Sequence, residues 1–90
     1  MTGGEAERGV LKLLPTVVNT HHRMYRVTCG CGTYLARTFL SHGSSGKDIG
    51  TNANKMAHQL RIPMTLFRDL AGCTAGRSEY LLARGHNHSP

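Results

Sequence analysis

The chain has 90 residues, enough for one small domain and too few to enclose a large cofactor in a deep pocket. Eleven Lys and Arg against five Asp and Glu give a formal charge of +6, a balance that suits a polyanionic partner. No apolar run nears the ~20 residues of a transmembrane helix. The start has no signal-like apolar core, and three cysteines make an odd set for a disulfide framework, so a cytoplasmic protein with no membrane partner is expected.

Residues 1–9, "MTGGEAERG", read as a flexible lead. A single α+β domain is expected over residues 10–84, with a flexible tail over 85–90. In "VLKLLPTVV", Pro15 limits any helix. The stretch predicts either a short helix followed by a strand or one irregular strand. "MYRVT" alternates, with Met24, Arg26 and Thr28 on one face and Tyr25 and Val27 on the other. "CGCG" then supplies glycines for a tight reversal. "TYLARTFLSH" is a second strand, with Tyr34, Ala36, Thr38 and Leu40 on one face and Leu35, Arg37, Phe39 and Ser41 on the other. The two strands form an antiparallel hairpin.

"GSSGKDIGTN" is a connection, and Thr51 or Asn52 is placed to cap a helix. Ala53, Met56, Ala57 and Leu60 then make one apolar stripe. That helix ends near Arg61, because Pro63 suits the first turn of the next. Met64, Phe67 and Leu70 share a face of the second helix, and Gly72 stops it. Ser78 is expected to cap a short last helix through Tyr80, Leu81 and Leu82, closed by Gly85. Strands first and helices after predict an α+β fold: a small antiparallel sheet of two to three strands against C-terminal helices.

Four groups of residues carry possible chemistry. Cys29, Cys31 and Cys73, with His21, His22, His42 and His58, are conceivable zinc ligands. The cysteines, however, form a C-x-C pair with no matching second pair. Adjacent residues of a strand point to opposite faces, which separates His21 from His22. The alternative is a glycine-cysteine turn with half-buried thiols. "HGSSGKDIG" offers backbone N–H groups and Lys47 to a phosphate but lacks P-loop spacing. "KMAHQLRIPMTLFRDL" resembles a helix-turn-helix, with Thr65 and Arg68 facing a groove of duplex DNA and Arg61 at the turn position usually held by glycine. Finally, "NTHHRMYRV" brings a histidine to a strand entrance among arginines. RNA supplies its own nucleophile, the 2′-hydroxyl, so a ribonuclease needs little more than a positioned acid/base and cations near the phosphate. His22 with Arg23, Arg26 and Lys47 meets that list, and the alternative is an exposed, non-catalytic histidine.

The order of these motifs is similar to the HicA family, the small toxins of HicA–HicB toxin–antitoxin pairs. Their signature is Gly-Ser-His entering a strand, then a second strand ending in a histidine before a loop and helix. Here it falls on Thr20, His21 and His22, aligned through Tyr25 and Arg26. "FLSHGSSGKDIG" resembles the strand end and loop, with His42 at the second histidine. "NKMAHQLRI" resembles the following helix. Thr20 and His21 stand where the family has Gly and Ser. The resemblance covers roughly residues 10 to 70. It implies a fold like a double-stranded-RNA-binding domain, ribosome-independent cleavage of mRNA, and neutralisation by a HicB-like antitoxin. It matches His22 to the catalytic histidine; His22 and His42 are the expected catalytic residues, and the basic residues Arg23, Arg26, Arg37, Lys47 and Lys55 are the expected nucleic-acid contacts. The reaction expected requires no metal or cofactor.

Overall fold

The computed structural model describes residues 1–30, 32–41, 46–72 and 74–85. The first helix, α1 (Gly3–Leu11), begins where a flexible lead was expected. Thr2 Oγ1 accepts from the Glu5 amide at 3.2 Å, and Glu5 Oε1 accepts from the Thr2 amide at 2.8 Å. This capping box satisfies two of the helix's orphan donors. Ala6, Val10 and Leu13 are fully buried. With Gly9 they stand at i, i+3, i+4 and i+7, an apolar stripe whose first half, Ala6 and Gly9, is too small to announce it. The helix is then released at Lys12, and Leu14 turns the chain with a left-handed φ of 54°.

Three strands follow, β1 (Thr16–Asn19), β2 (Arg23–Thr28) and β3 (Tyr34–Leu40), in the order β1-β2-β3 with antiparallel neighbours. The helix-then-strand alternative for residues 10–18 therefore holds, with the helix ending at Leu11, and the hairpin lies where it was expected. The faces at the start of β3 differ, because a bulge buries Leu35 beside Ala36 and leaves Tyr34 exposed with Arg37 and Phe39. Its reversal is closed by Gly32 N donating to Cys29 O at 2.8 Å and Cys29 N donating to Thr33 O at 2.7 Å, with Gly32 at φ +91°. A register shift between Val27 and Thr28 bulges the pair beside this turn.

Cross-strand partners share a sheet face. Val27 pairs with Ala36, Tyr25 with Thr38 and Arg23 with Leu40, so these lie on one face, and Tyr25, Val27, Ala36, Thr38 and Leu40 are buried there. Arg26 pairs with Arg37 and Met24 with Phe39 on the other face, which the helices leave open.

Three helices complete the chain: α2 (Asn52–Gln59), α3 (Met64–Ala71) and α4 (Arg77–Ala83). Thr51 is the N-cap of α2, as expected, although its side chain makes no capping bond. Gly76, not Ser78, precedes α4; Ser78 falls inside the first turn because Arg77 already takes helical geometry. Between α2 and α3, Ile62 N donates to Ala57 O and Arg61 N to His58 O, with Arg61 at φ 62°. This is a Schellman stop whose left-handed residue is an arginine rather than glycine.

The helices knit the chain by side-chain bonds to backbone carbonyls. Arg8 Nε and Nη2 donate to Ala71 O at 3.0 and 2.6 Å, and Lys12 Nζ donates to Leu70 O. A cation of α1 and one at its C-cap thus satisfy the carbonyls at the C-terminal end of α3, where the helix dipole is negative. Tyr80 Oη donates to Leu60 O at 3.1 Å, and Arg84 Nη1 to Leu35 O at 3.0 Å. No helix among the described residues is long and apolar enough to cross a membrane.

Candidate nucleic-acid site

His21 and His22 are exposed in the three-residue loop that joins β1 to β2, not on a strand. The Asn19–Arg23 pair closes that loop, and the Thr20 amide and hydroxyl donate to His22 O at 3.2 and 3.1 Å. The strand-based separation of the two imidazoles therefore does not apply to them. Among the described residues no three His, Cys, Asp or Glu side chains converge as a metal site. Cys29 is buried under the sheet. Cys31, Cys73 and the proposed second catalytic histidine, His42, lie outside the described residues.

His22 opens onto a cleft of about 570 Å³ between the end of β3 and the start of α2. Phe39 and Ser41 line it from β3 and the residue beyond, Lys47 from the following segment, and Asn52, Lys55 and Gln59 from α2. The Lys47 segment is pinned by the start of the chain: Gly3 N donates to Lys47 O at 2.9 Å and Ile49 N to Met1 O at 3.0 Å. Neither Lys47 nor Lys55 has a carboxylate partner among the described residues. Asp48 also lines the cleft, but its Oδ1 accepts from Gly50 N at 2.9 Å, and this bond holds its carboxyl below the usual range. On the far wall Thr38 Oγ1 donates to Gln59 Oε1 at 2.8 Å, fixing the amide that faces the opening.

The expected nucleic-acid contacts divide among three places. Lys47 and Lys55 share the cleft with His22. Arg23 turns to the covered face, where it forms an ion pair with Glu7, whose Oε2 also accepts the buried Tyr25 hydroxyl. Arg26 and Arg37 stand opposite each other on the open face, and the Arg37 guanidinium lies 5.9 Å from the Phe39 ring centroid. Phe39, Asn52 and Gln59 were not singled out from the sequence as site residues. Strand alternation sets Phe39 off the buried face, whereas Gln59 merely falls off the apolar stripe of α2 and carries no signal of its own.

Chemically, the cleft offers an exposed imidazole, two ammonium groups free of carboxylates and two side-chain amides around a half-open, partly apolar floor. That set suits a phosphodiester: charge for the phosphate, a proton acceptor for an adjacent hydroxyl and a surface for a base. Comparison with family models, with curated proteins and with solved structures finds no match to this chain.

Proposed function

We propose that the protein is a HicA-like endoribonuclease that cuts RNA with His22 as its acid/base. The observation that carries this reading is the opening of His22, Lys47 and Lys55 onto one cleft. The order α1, three-stranded antiparallel meander, α2 is the helix–sheet–helix order that this reading calls for, with α3 and α4 added after it.

In the reaction drawn for this site, neutral His22 takes the proton from a ribose 2′-hydroxyl as its oxygen attacks the adjacent phosphorus. Lys47 and Lys55 balance the charge that grows on the phosphate oxygens. The P–O5′ bond breaks and the leaving oxygen receives a proton from the imidazolium. The products are a 2′,3′-cyclic phosphate and a 5′-hydroxyl, and no metal takes part in these steps. By resemblance, His42 assists, mRNA in the cytoplasm is the target, and a HicB-like antitoxin is the protein partner.

The test is induction of His22→Ala beside the parent chain, scored by growth arrest and by cleavage of purified RNA. General acid/base catalysis contributes on the order of 10²–10⁴-fold, so cleavage falls by at least 10²-fold. Undiminished cleavage and toxicity would sink the assignment.

A second reading, a duplex-DNA-binding helix pair, draws on the left-handed turn at Arg61 and on Thr65 and Arg68, which are exposed on α3. It requires Thr65→Ala and Arg68→Ala, and not His22→Ala, to abolish a gel shift of duplex DNA.

A further inference from the structure

We propose that the open face of the sheet is a platform for single-stranded RNA, holding the strand that enters or leaves the His22 cleft. It extends the reading of that cleft as an RNA site and rests on it for the direction of the strand. Three observations carry it.

The first is charge. Arg26 and Arg37 are direct cross-strand partners. Like charges in that position repel one another. Neither has a carboxylate partner among the described residues, and none of the chain's five acidic residues lies in a strand. An anion lying between the two guanidiniums removes the repulsion and gains charge-assisted hydrogen bonds.

The second is exposed aromatic surface on the same face, because the bulge breaks alternation at the start of β3: Leu35 and Ala36 are both buried, and Tyr34 pairs with Thr28, which shares the face of Arg26. Tyr34 is 52% exposed and Phe39 37% exposed. The strand rise places them about 16 Å apart along β3, far enough to take separate bases. Arg37 already stacks over Phe39, as a guanidinium does when it sandwiches a base. Alternating cations and aromatic faces suit unpaired bases, whose π-faces are free. Within a duplex those faces are already stacked, and an acidic protein has no need of them.

The third is continuity. Phe39 lines the His22 cleft and also a second hollow shared with Tyr34, Arg37 and Arg61. A strand lying along Phe39 borders both hollows.

The test uses the full chain carrying His22→Ala, so that RNA stays intact, and follows the anisotropy of a short fluorescent single-stranded RNA and of the same sequence as a duplex. Adding Tyr34→Ala weakens single-strand binding about fivefold or more, whereas Tyr34→Phe restores it. Adding Arg26→Ala with Arg37→Ala weakens it at least tenfold. Duplex affinity falls less in each case. All three side chains are exposed, and an unchanged melting curve confirms that each variant is folded. The proposal is overturned if folded Tyr34→Ala binds like its parent, if single strand and duplex lose affinity equally, or if polyglutamate displaces the RNA as effectively as unlabelled single strand does. Such failure alongside His22-dependent cleavage leaves the catalytic reading standing. Loss of the catalytic reading alongside Tyr34-dependent binding leaves the platform standing.

Discussion

Gly9→Ala is expected to destabilise the protein, against the usual sign for a helix interior. Alanine there ordinarily gains up to ~1 kcal/mol over glycine. At Gly9 the added Cβ would lie 2.9 Å from Ala71 N, 3.2 Å from Ala71 Cα and 3.2 Å from the Leu70 carbonyl carbon. Comfortable contact is about 3.5–4.0 Å, so α1 and α3 must part by roughly 0.5 Å. Every obstructing atom is backbone, and no side chain can swing aside. The shift loosens a seam that buries Ala6, Val10, Phe67 and Leu70 and stretches the Arg8 and Lys12 bonds to Ala71 and Leu70. Overpacking typically costs about 1–3 kcal/mol, leaving a net loss of up to about 2 kcal/mol after the propensity gain. The chain has no tryptophan, so urea unfolding followed by far-ultraviolet circular dichroism is the suitable assay. With a denaturant slope of about 1 kcal/mol/M for so small a domain, the midpoint drops by up to about 2 M. A midpoint equal to or above that of the parent refutes the close approach of α1 to α3.

Arg61→Gly is expected to stabilise. The left-handed conformation costs an L-residue about 1–2 kcal/mol, part of which the greater freedom of unfolded glycine offsets. The net gain of about 0.5–1 kcal/mol reads as a higher melting temperature, and a lower one contradicts the turn at Arg61. Tyr25 predicts an alkaline limb of stability. Burial, then its bond to Glu7, pushes the phenol from 10.0 up to about 12. Because the folded value lies above the unfolded one, this stability is full below pH 10 and is lost as pH rises toward 12, by on the order of 2 kcal/mol. Burial raises Tyr80 in the same direction. In Tyr25→Phe the alkaline loss shrinks, while stability at neutral pH falls by about 1 kcal/mol through the lost hydrogen bond. An unchanged pH profile counts against the Tyr25–Glu7 pair.

The hairpin and the helix pair were legible because their signals are local. Alternation in "MYRVT" and "TYLARTFL" and the stripe from Ala53 to Leu60 each sit within a single element. The first helix was legible only at its end, where Val10 and Leu13 mark a helical turn; Ala6 and Gly9, which carry the stripe back toward its start, are too small to stand out, and its stability comes from α3, far along the chain. The cleft was half legible. A histidine beside a strand stands out in "NTHHRMYRV", but the turn that carries it is fixed by the Asn19–Arg23 register. Arg23 shows why a cluster in sequence need not be a cluster in space. One residue from His22, it is held by a carboxylate sixteen positions earlier and does not line the cleft.

The seam between α1 and α3 also sets an order of events. Arg8 and Ala71 are 63 positions apart, and closing a loop of that length costs about 3.7 kcal/mol of chain entropy before any contact repays it. The meander and the α2–α3 turn form through neighbours in sequence and can precede it. The backbone bonds from Met1 and Gly3 that hold the Lys47 segment depend on where α1 finally rests. The wall of the cleft therefore depends on a seam that joins the two ends of the chain. A chain still being synthesised has its histidine loop long before it has a finished site.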